Sequence, residues 1–379
     1  MRIGILINPQ ARRACAPGLP ERLAGLCRAA GSEAVVVVTR SPSEVAGAVA
    51  QLVAAAVDVL APCGGDGTLL STVTALVRAG GALPSLLLLP GGTMNTVAKN
   101  LGAHEPPEER LAALLRHAAS GRGLAAVPHF PQQLMRLVTF DETPVLGGTA
   151  RSSEGDALAA VALPLVERYG FLFTAAMGAR FLTAYSQRPG LPAAAWLALR
   201  TVLSSLIPGG GRFARWLFQP TPARVVLDGE ELPERRHRVL LAATVPDVGL
   251  GMQVPWRAGL VPQRFQLIAS ALPLWKNALQ LPRILRAEPL RGAPHHDLLA
   301  RAAQLRFDIP QTLVLDGELF RAAAVDVALG PRLTVLRYPS FEAAKRLYDS
   351  PEYCAARQLR AGATALFNMV LVEGVDGPV

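Results

Sequence analysis

Two short runs carry the residue types that could hold a phosphate. Cys63-Gly64-Gly65-Asp66-Gly67-Thr68 and Pro90-Gly91-Gly92-Thr93-Met94-Asn95 each follow an apolar stretch and precede a segment of helical spacing. Glycine has no Cβ and tolerates positive φ, so backbone N–H groups in such loops can close on an anion at the positive end of the following helix. Thr68 and Thr93 add hydroxyls able to cap a helix or meet a phosphate oxygen. Asp66 places a carboxylate in a strand-to-helix turn, where it could face a divalent cation or take the proton of an attacking hydroxyl. One Gly-Gly-Asp-Gly could be a plain tight turn; two such loops after consecutive strands point to an anion site.

For the loops to share a rim, their strands must belong to one parallel sheet, where ligands of open α/β sheets bind. Up to residue 128 the pattern alternates accordingly. It predicts strands at 2–7, 34–38, 57–62 and 85–89, and helices near 20–30, 43–56, 69–79, 94–99 and 107–119. This is a doubly wound α/β domain spanning 1–128. Residues 129–340 read as an antiparallel β domain of short apolar runs between Gly, Pro and Asp-Gly turns, with a loop near 147–156. Val226-Leu227-Asp228-Gly229-Glu230 and Val314-Leu315-Asp316-Gly317-Glu318 are near-copies, each with the Asp-Gly signature of a hairpin. A C-terminal extension, 341–379, contains a helical stretch near 355–369 that could cap the domain or mediate self-association, so a homodimer stays open.

The set Asn8-Pro9, Gly64-Gly65-Asp66-Gly67-Thr68, Pro90-Gly91-Gly92-Thr93-Met94-Asn95-Thr96-Val97-Ala98 and Asp316-Gly317-Glu318 resembles the diacylglycerol kinase catalytic-domain family. These are bacterial lipid kinases related to sphingosine and ceramide kinases. NAD kinases and phosphofructokinases share the Gly-Gly-Asp loop; Pro-Gly-Gly-Thr-x-Asn points to the lipid branch. The resemblance, running from Arg2 to about Tyr338, implies an NAD kinase/phosphofructokinase-like nucleotide domain followed by an antiparallel β-sandwich-like acceptor domain. It implies ATP and Mg²⁺, and transfer of the γ-phosphoryl group to a diacylglycerol-like or sphingoid-like hydroxyl. It also implies Asp66 or Asp316 as catalytic base, with Glu318 toward the nucleotide. Gly64, Gly65, Gly67, Thr68, Gly91, Gly92, Thr93 and Asn95 would cradle ATP, with Asn8 and Thr39 beside them.

The chain departs from this pattern in places. Gln10-Ala11-Arg12-Arg13 follows the first Asn-Pro where relatives have a small residue and Gly. Ala125-Ala126-Val127-Pro128 and Gly259-Leu260-Val261-Pro262-Gln263 lack the carboxylates that hold a structural Mg²⁺ in bacterial members, so that site is expected to be missing. Gly178-Ala179-Arg180 replaces a Gly-hydrophobic-Asp, and Val245-Pro246 an Asn-Gly. Two other readings therefore stay open, a kinase for a soluble alcohol such as a nucleotide or sugar, and a non-catalytic lipid- or nucleotide-binding relative.

With 379 residues the chain is long enough for two cores. It has no uninterrupted membrane-spanning run and no signal-peptide core, so a cytoplasmic protein is expected. Four cysteines, Cys15, Cys27, Cys63 and Cys354, form no metal spacing and are expected to be free thiols, Cys63 as a small buried strand residue. The net charge is +9, almost wholly from arginine. From residue 168 to 227 no acidic residue occurs, while Arg168, Arg180, Arg188, Arg200, Arg212, Arg215 and Arg224 alternate with aromatics. This suits peripheral contact with an anionic membrane surface. No nucleic-acid motif accompanies it, and an ordinary arginine-rich surface has the same composition. A lipid hydroxyl would have to rise from the bilayer, so the apolar stretches 192–207 and 272–285 are expected to line a pocket opening toward Asp66 and Asp316.

Overall fold

The computed structural model describes residues 1–12, 14, 16–119, 124, 127–140, 165–187, 189–207 and 209–336. Cys15, Cys354, Arg188, Ala125-Ala126, the loop near 147–156 and the extension 341–379 lie outside the described residues.

The first half follows the sequence pattern closely. Strands Arg2–Ile7, Glu33–Val38, Val59–Gly64 and Ser85–Leu86 pair in parallel, Arg2–Ile7 lying between Glu33–Val38 and Val59–Gly64. The expected strand at 85–89 is interrupted, and its second piece, Leu89–Pro90, also pairs in parallel with the end of Val59–Gly64. Helix Leu19–Ala29 buries Leu19, Leu23 and Cys27 at a spacing of one turn, and helix Pro42–Ala54 buries Val45, Ala48, Val49 and Leu52. Alternation along the strands splits the apolar residues between two cores. One holds Leu6, Leu60, Leu86, Val49 and Val73; the other holds Ile5, Ile7, Ala61, Cys63, Leu23 and Leu114. Helices on both faces of a parallel sheet explain why these strands read as continuous apolar runs.

The second half is sheet-rich and antiparallel. Its core gathers Phe173, Val225, Leu240, Leu267, Leu305, Leu313, Phe320 and Val325. The strands Leu172–Ala176, Val239–Ala243, Phe265–Ser270 and His295–Ala300 form an antiparallel run in that order. Leu172–Ala176 also meets the end of Ala302–Leu315.

Sequence punctuation suggests two separate sheets, yet the hydrogen bonding is continuous. The strand Glu318–Leu336 pairs first with Ala302–Leu315, then with His129–Phe140, and at Val335 in parallel with Leu86 of the nucleotide half. Leu333 and Val335 are buried in the core that also holds Leu6 and Leu60. Residues beyond 128 thus complete the edge of the first half, so the division expected at 128 is not a division in the sheet.

Candidate active site

The two glycine runs interlock. Gly91 N–H and Gly92 N–H both donate to the Gly64 carbonyl, at 2.8 and 3.1 Å. A Cβ on Gly92 would stand 2.5 Å from Gly65 Cα, one on Gly91 would stand 3.1 Å from Gly64 N, and one on Gly64 would stand 2.6 Å from Thr68 Cβ. None of Gly64, Gly65, Gly67, Gly91 or Gly92 has positive φ. Gly91 and Gly92 allow close approach of backbone to backbone, Gly64 and Gly67 leave room for the side chains of Thr68 and Glu318, and the positive φ that glycine tolerates is not used at these five positions. The left-handed residue is Asn95, at φ 49°.

The side chains around the loops fall into those that lock and those that face outward. Buried Asn95 accepts from Gly92 N–H and donates to the Gly92 carbonyl, both at 2.9 Å, so its amide is engaged within its own loop. Thr68 Oγ1 accepts from Asn8 Nδ2 at 2.9 Å, while Asn8 Oδ1 accepts from Gln10 N–H, tying the first strand's end to the loop. Thr39 is buried beside them, its N–H donating to the Ile7 carbonyl. Helix Asp66–Ala79 starts after Gly65, and the N–H groups of a first helical turn have no partner within the helix. Those donors lie directly after the glycine loop, at the positive end of the helix, where an anion is favoured. A small void behind the loops is lined by Pro62, Leu69, Leu88, Leu89 and Ala98 together with Gly64, Gly65 and Asp66. None of this lining comes from 192–207 or 272–285.

Asp66 reaches across to the second loop. Its two oxygens accept from Thr96 N–H and Val97 N–H, each at 2.9 Å, capping helix Thr96–Asn100. Burial raises its pKa; the two N–H donors and the charge of Lys99 work against that rise. Lys99 was not singled out by motif, although it is the one lysine among the first 128 residues of an arginine-rich chain.

The hairpin Asp316-Gly317 comes from the distant half to the same place. Glu318 lies against Gly67: the three atoms nearest to a Cβ built there all belong to its side chain. Asp316 is 2% exposed. It accepts from Leu172 N–H at 2.8 Å and from Phe171 N–H at 3.0 and 3.1 Å. Burial, with a further contribution from the Asp66 charge, pushes its pKa up to about 8 despite those hydrogen bonds. The near-copy at Asp228 has the same build. Asp228 and Asp316 share φ 47°, and Asp228 accepts from Arg301 N–H and Ala302 N–H as Asp316 does from 171 and 172. They differ in setting: Asp228 is solvent-facing beside Arg264, whereas Asp316 is buried against Gly170, Phe171 and Leu172.

A second tie joins the halves. Asn100 Nδ2 donates to the Asp247 carbonyl at 2.8 Å, and Asp247 N–H donates to Asn100 Oδ1 at 2.9 Å. Cys63, fully buried, has its thiol pushed up to about 12 by burial, which makes it an unreactive strand residue.

A nucleotide with Mg²⁺ fits this donor set. Gly64, Gly67, Gly91 and Gly92 leave no room for a Cβ, a helix begins directly after Gly65, and Glu318 lies against the loop that carries Asp66. Among the described residues no group of three or more His, Cys, Asp or Glu is placed to hold a metal. One or two carboxylates completed by phosphate oxygens is the usual arrangement for Mg²⁺ on nucleotides.

Comparisons with known proteins agree. Residues 2–126 match the diacylglycerol kinase catalytic domain, and residues 318–375 match a domain of unknown function, DUF1330. The first 19 residues of the latter are the strand Glu318–Leu336, integral to the shared sheet. Comparison with curated protein sequences returns no match. Among solved structures, a diacylglycerol kinase from Bacillus anthracis str. Sterne aligns with TM-score 0.56 at 11% identity, covering 89% of this chain and 97% of that one. A second structure from that organism, provisionally assigned the same activity, gives TM-score 0.62 at 12% identity, covering 89% and 95%. Residues 2–126 thus match the diacylglycerol kinase catalytic domain family, and the described chain has the fold of the bacterial diacylglycerol kinases it resembles.

Proposed function

We propose that this chain is a kinase that moves the γ-phosphoryl group of ATP to a lipid hydroxyl, with Asp66 accepting the hydroxyl's proton. The observation that carries the reading is the meeting of Asp66, Asp316 and Glu318 over two interlocked glycine loops, although they are supplied by opposite halves of the chain. A phosphoryl transition state is loose and spreads charge over the equatorial oxygens, so the protein chiefly positions groups and neutralises charge. Mg²⁺, held by Glu318 and phosphate oxygens, would supply much of that neutralisation. The first-turn N–H groups after Gly65 orient the phosphates, and Asn95 keeps the second loop in shape.

The choice between the two aspartates follows from environment. Asp66 keeps part of its surface open, and burial raises its affinity for a proton, the direction that favours a base. Asp316 is sealed, holds its proton up to about pH 8, and braces the backbone at 171–172. It acts as a positioning residue and keeps Glu318 on the loop.

Asp66→Asn should lower turnover about 10²–10⁴-fold, the range of a general base, while the protein stays folded. Detergent-dispersed lipids and water-soluble alcohols, each with labelled ATP, provide the acceptors. Parental activity in Asp66→Asn would refute the assignment. Labelling of soluble alcohols alone would replace the lipid with a soluble acceptor. ATP binding without any turnover would make the chain a binding protein.

A further inference from the structure

Helix Leu191–Leu206 is built inside out. Its inward side carries Ala194, Thr201 and Ser205, and the two hydroxyls donate to carbonyls one turn back, at 2.7 Å each. Its outward side carries Trp196, Leu199, Leu203 and Leu206, spaced three and four residues apart and 50–60% exposed. A water-facing helix shows the reverse polarity. Helix Leu274–Ala278 packs against it, with Trp275 and, just beyond its end, Leu279 exposed as well. The stretches expected to line an acceptor cleft therefore turn Trp196, Leu199, Leu203, Leu206, Trp275 and Leu279 outward, while Leu272 is buried.

The charge on this face has one sign. No aspartate or glutamate occurs in 168–227 or in 248–287. Cations frame the apolar side chains: exposed Arg200 stacks on Phe213 with its guanidinium carbon 4.1 Å from the ring centre, half-buried Lys276 lies 5.5 Å from the Trp275 ring, and exposed Arg212 and Arg215 project from helix Arg212–Leu217. Arg180, expected among the membrane-facing arginines, is not one of them. It donates to the carbonyls of Leu217 and Gln219 and to Thr221 Oγ1, holding this helical cluster to the sheet.

We infer that this face lies in the headgroup region of an anionic bilayer. Trp and Leu side chains on one helical face, ringed by cations and free of acids, are the composition of a helix lying in the interface plane. No helix among the described residues is long and apolar enough to cross a membrane. The cluster joins the sheet through helix Met177–Ser186, which follows directly on Leu172–Ala176, and Leu172 N–H is a donor to Asp316. That strand and the helix after it link the docked face to the backbone that holds Asp316. The inference shares the lipid acceptor with the proposed function but needs no turnover.

Flotation of the full chain with vesicles, without ATP, tests it. Vesicles of phosphatidylcholine with phosphatidylglycerol should capture the chain, vesicles of phosphatidylcholine alone should capture about tenfold less or weaker still, and added salt should release it. The exposed pair Trp196→Gln and Leu203→Gln should abolish capture, and Arg212→Gln with Arg215→Gln should weaken it more than tenfold. Both variants should keep the parent's melting temperature and its turnover on detergent-dispersed or soluble acceptors. Equal capture by both vesicle types at low salt would overturn the inference, as would parental capture in the Trp196/Leu203 variant. Self-association of the parent that this variant removes would assign the face to a second copy of the chain. Failure of turnover on every acceptor would affect only the kinase reading.

Discussion

Gly67→Ala separates loop chemistry from loop packing. The added Cβ overlaps a carboxylate oxygen of Glu318 outright and would stand 3.1 Å from its Cδ and 3.6 Å from its Cγ. Glu318 is exposed, so its side chain can swing away without disturbing the fold. It must retreat by about 1 Å, a displacement that costs on the order of 10²-fold when a catalytic constellation depends on position. Stability should move the other way. Gly67 lies in the first turn of helix Asp66–Ala79 without positive φ, where alanine gains about 0.4–1 kcal/mol by restricting the unfolded chain. Thermal melting combined with steady-state turnover is the assay: kcat/KM should fall about hundredfold while the melting temperature holds or rises slightly. Gly92→Ala is the contrast. Its Cβ would meet Gly65 Cα at 2.5 Å, and backbone cannot swing aside, so stability should drop by about 1–3 kcal/mol together with activity. Full activity in Gly67→Ala would show that Glu318 has no function at the loop, and parental stability in Gly92→Ala would refute the interlocking of the loops.

The pKa of Asp316 is raised in the fold, so between about pH 4 and about pH 8 the folded chain holds a proton that the unfolded chain has released. Its contribution to stability therefore falls as pH rises through that window, by at most about 1.4 kcal/mol per pH unit, and urea unfolding across the window should show a slope that Asp316→Asn flattens. Asn100→Ala removes both hydrogen bonds to the 247 backbone and should destabilise by about 1–3 kcal/mol, read as a lower urea midpoint; an unchanged midpoint would refute the tie. Mg²⁺-ATP at about 100 times its Kd should stabilise the fold by about 2.7 kcal/mol, and thermal melting unaffected by ATP would remove the nucleotide site.

The nucleotide half was legible because its signals are local. Apolar runs of strand length, helical spacing and glycine pairs located nearly every element to within a residue or two. The reason for the glycines was not legible, since close approach of Gly92 to Gly65 depends on two loops meeting in space, and sequence alone offers positive φ just as readily. Asp228 and Asp316 have the same local geometry; only burial distinguishes them, and burial is set by the whole fold. Arginine counts alone placed Arg180 on the basic surface, whereas its carbonyl partners lie 37 and 39 residues along the chain. Apolar content made 192–207 look like a cavity lining, and only the inward placement of Thr201 and Ser205 shows that the large side chains point away.

The pairing of Val335 with Leu86 has a consequence for how the chain is made. On the ribosome, residues up to 128 emerge with most of a parallel sheet in hand, but the strand that seals its edge is more than 200 residues away. An exposed strand edge is a template for pairing with other chains. A fragment ending where the sequence texture changes would carry that edge permanently, and should be prone to aggregation even though it contains both glycine loops. Domain folding during synthesis normally proceeds from the N-terminus as independent units. Here the first unit waits for the strand Glu318–Leu336, so assembly of the loop rim and closure of the sheet become one event.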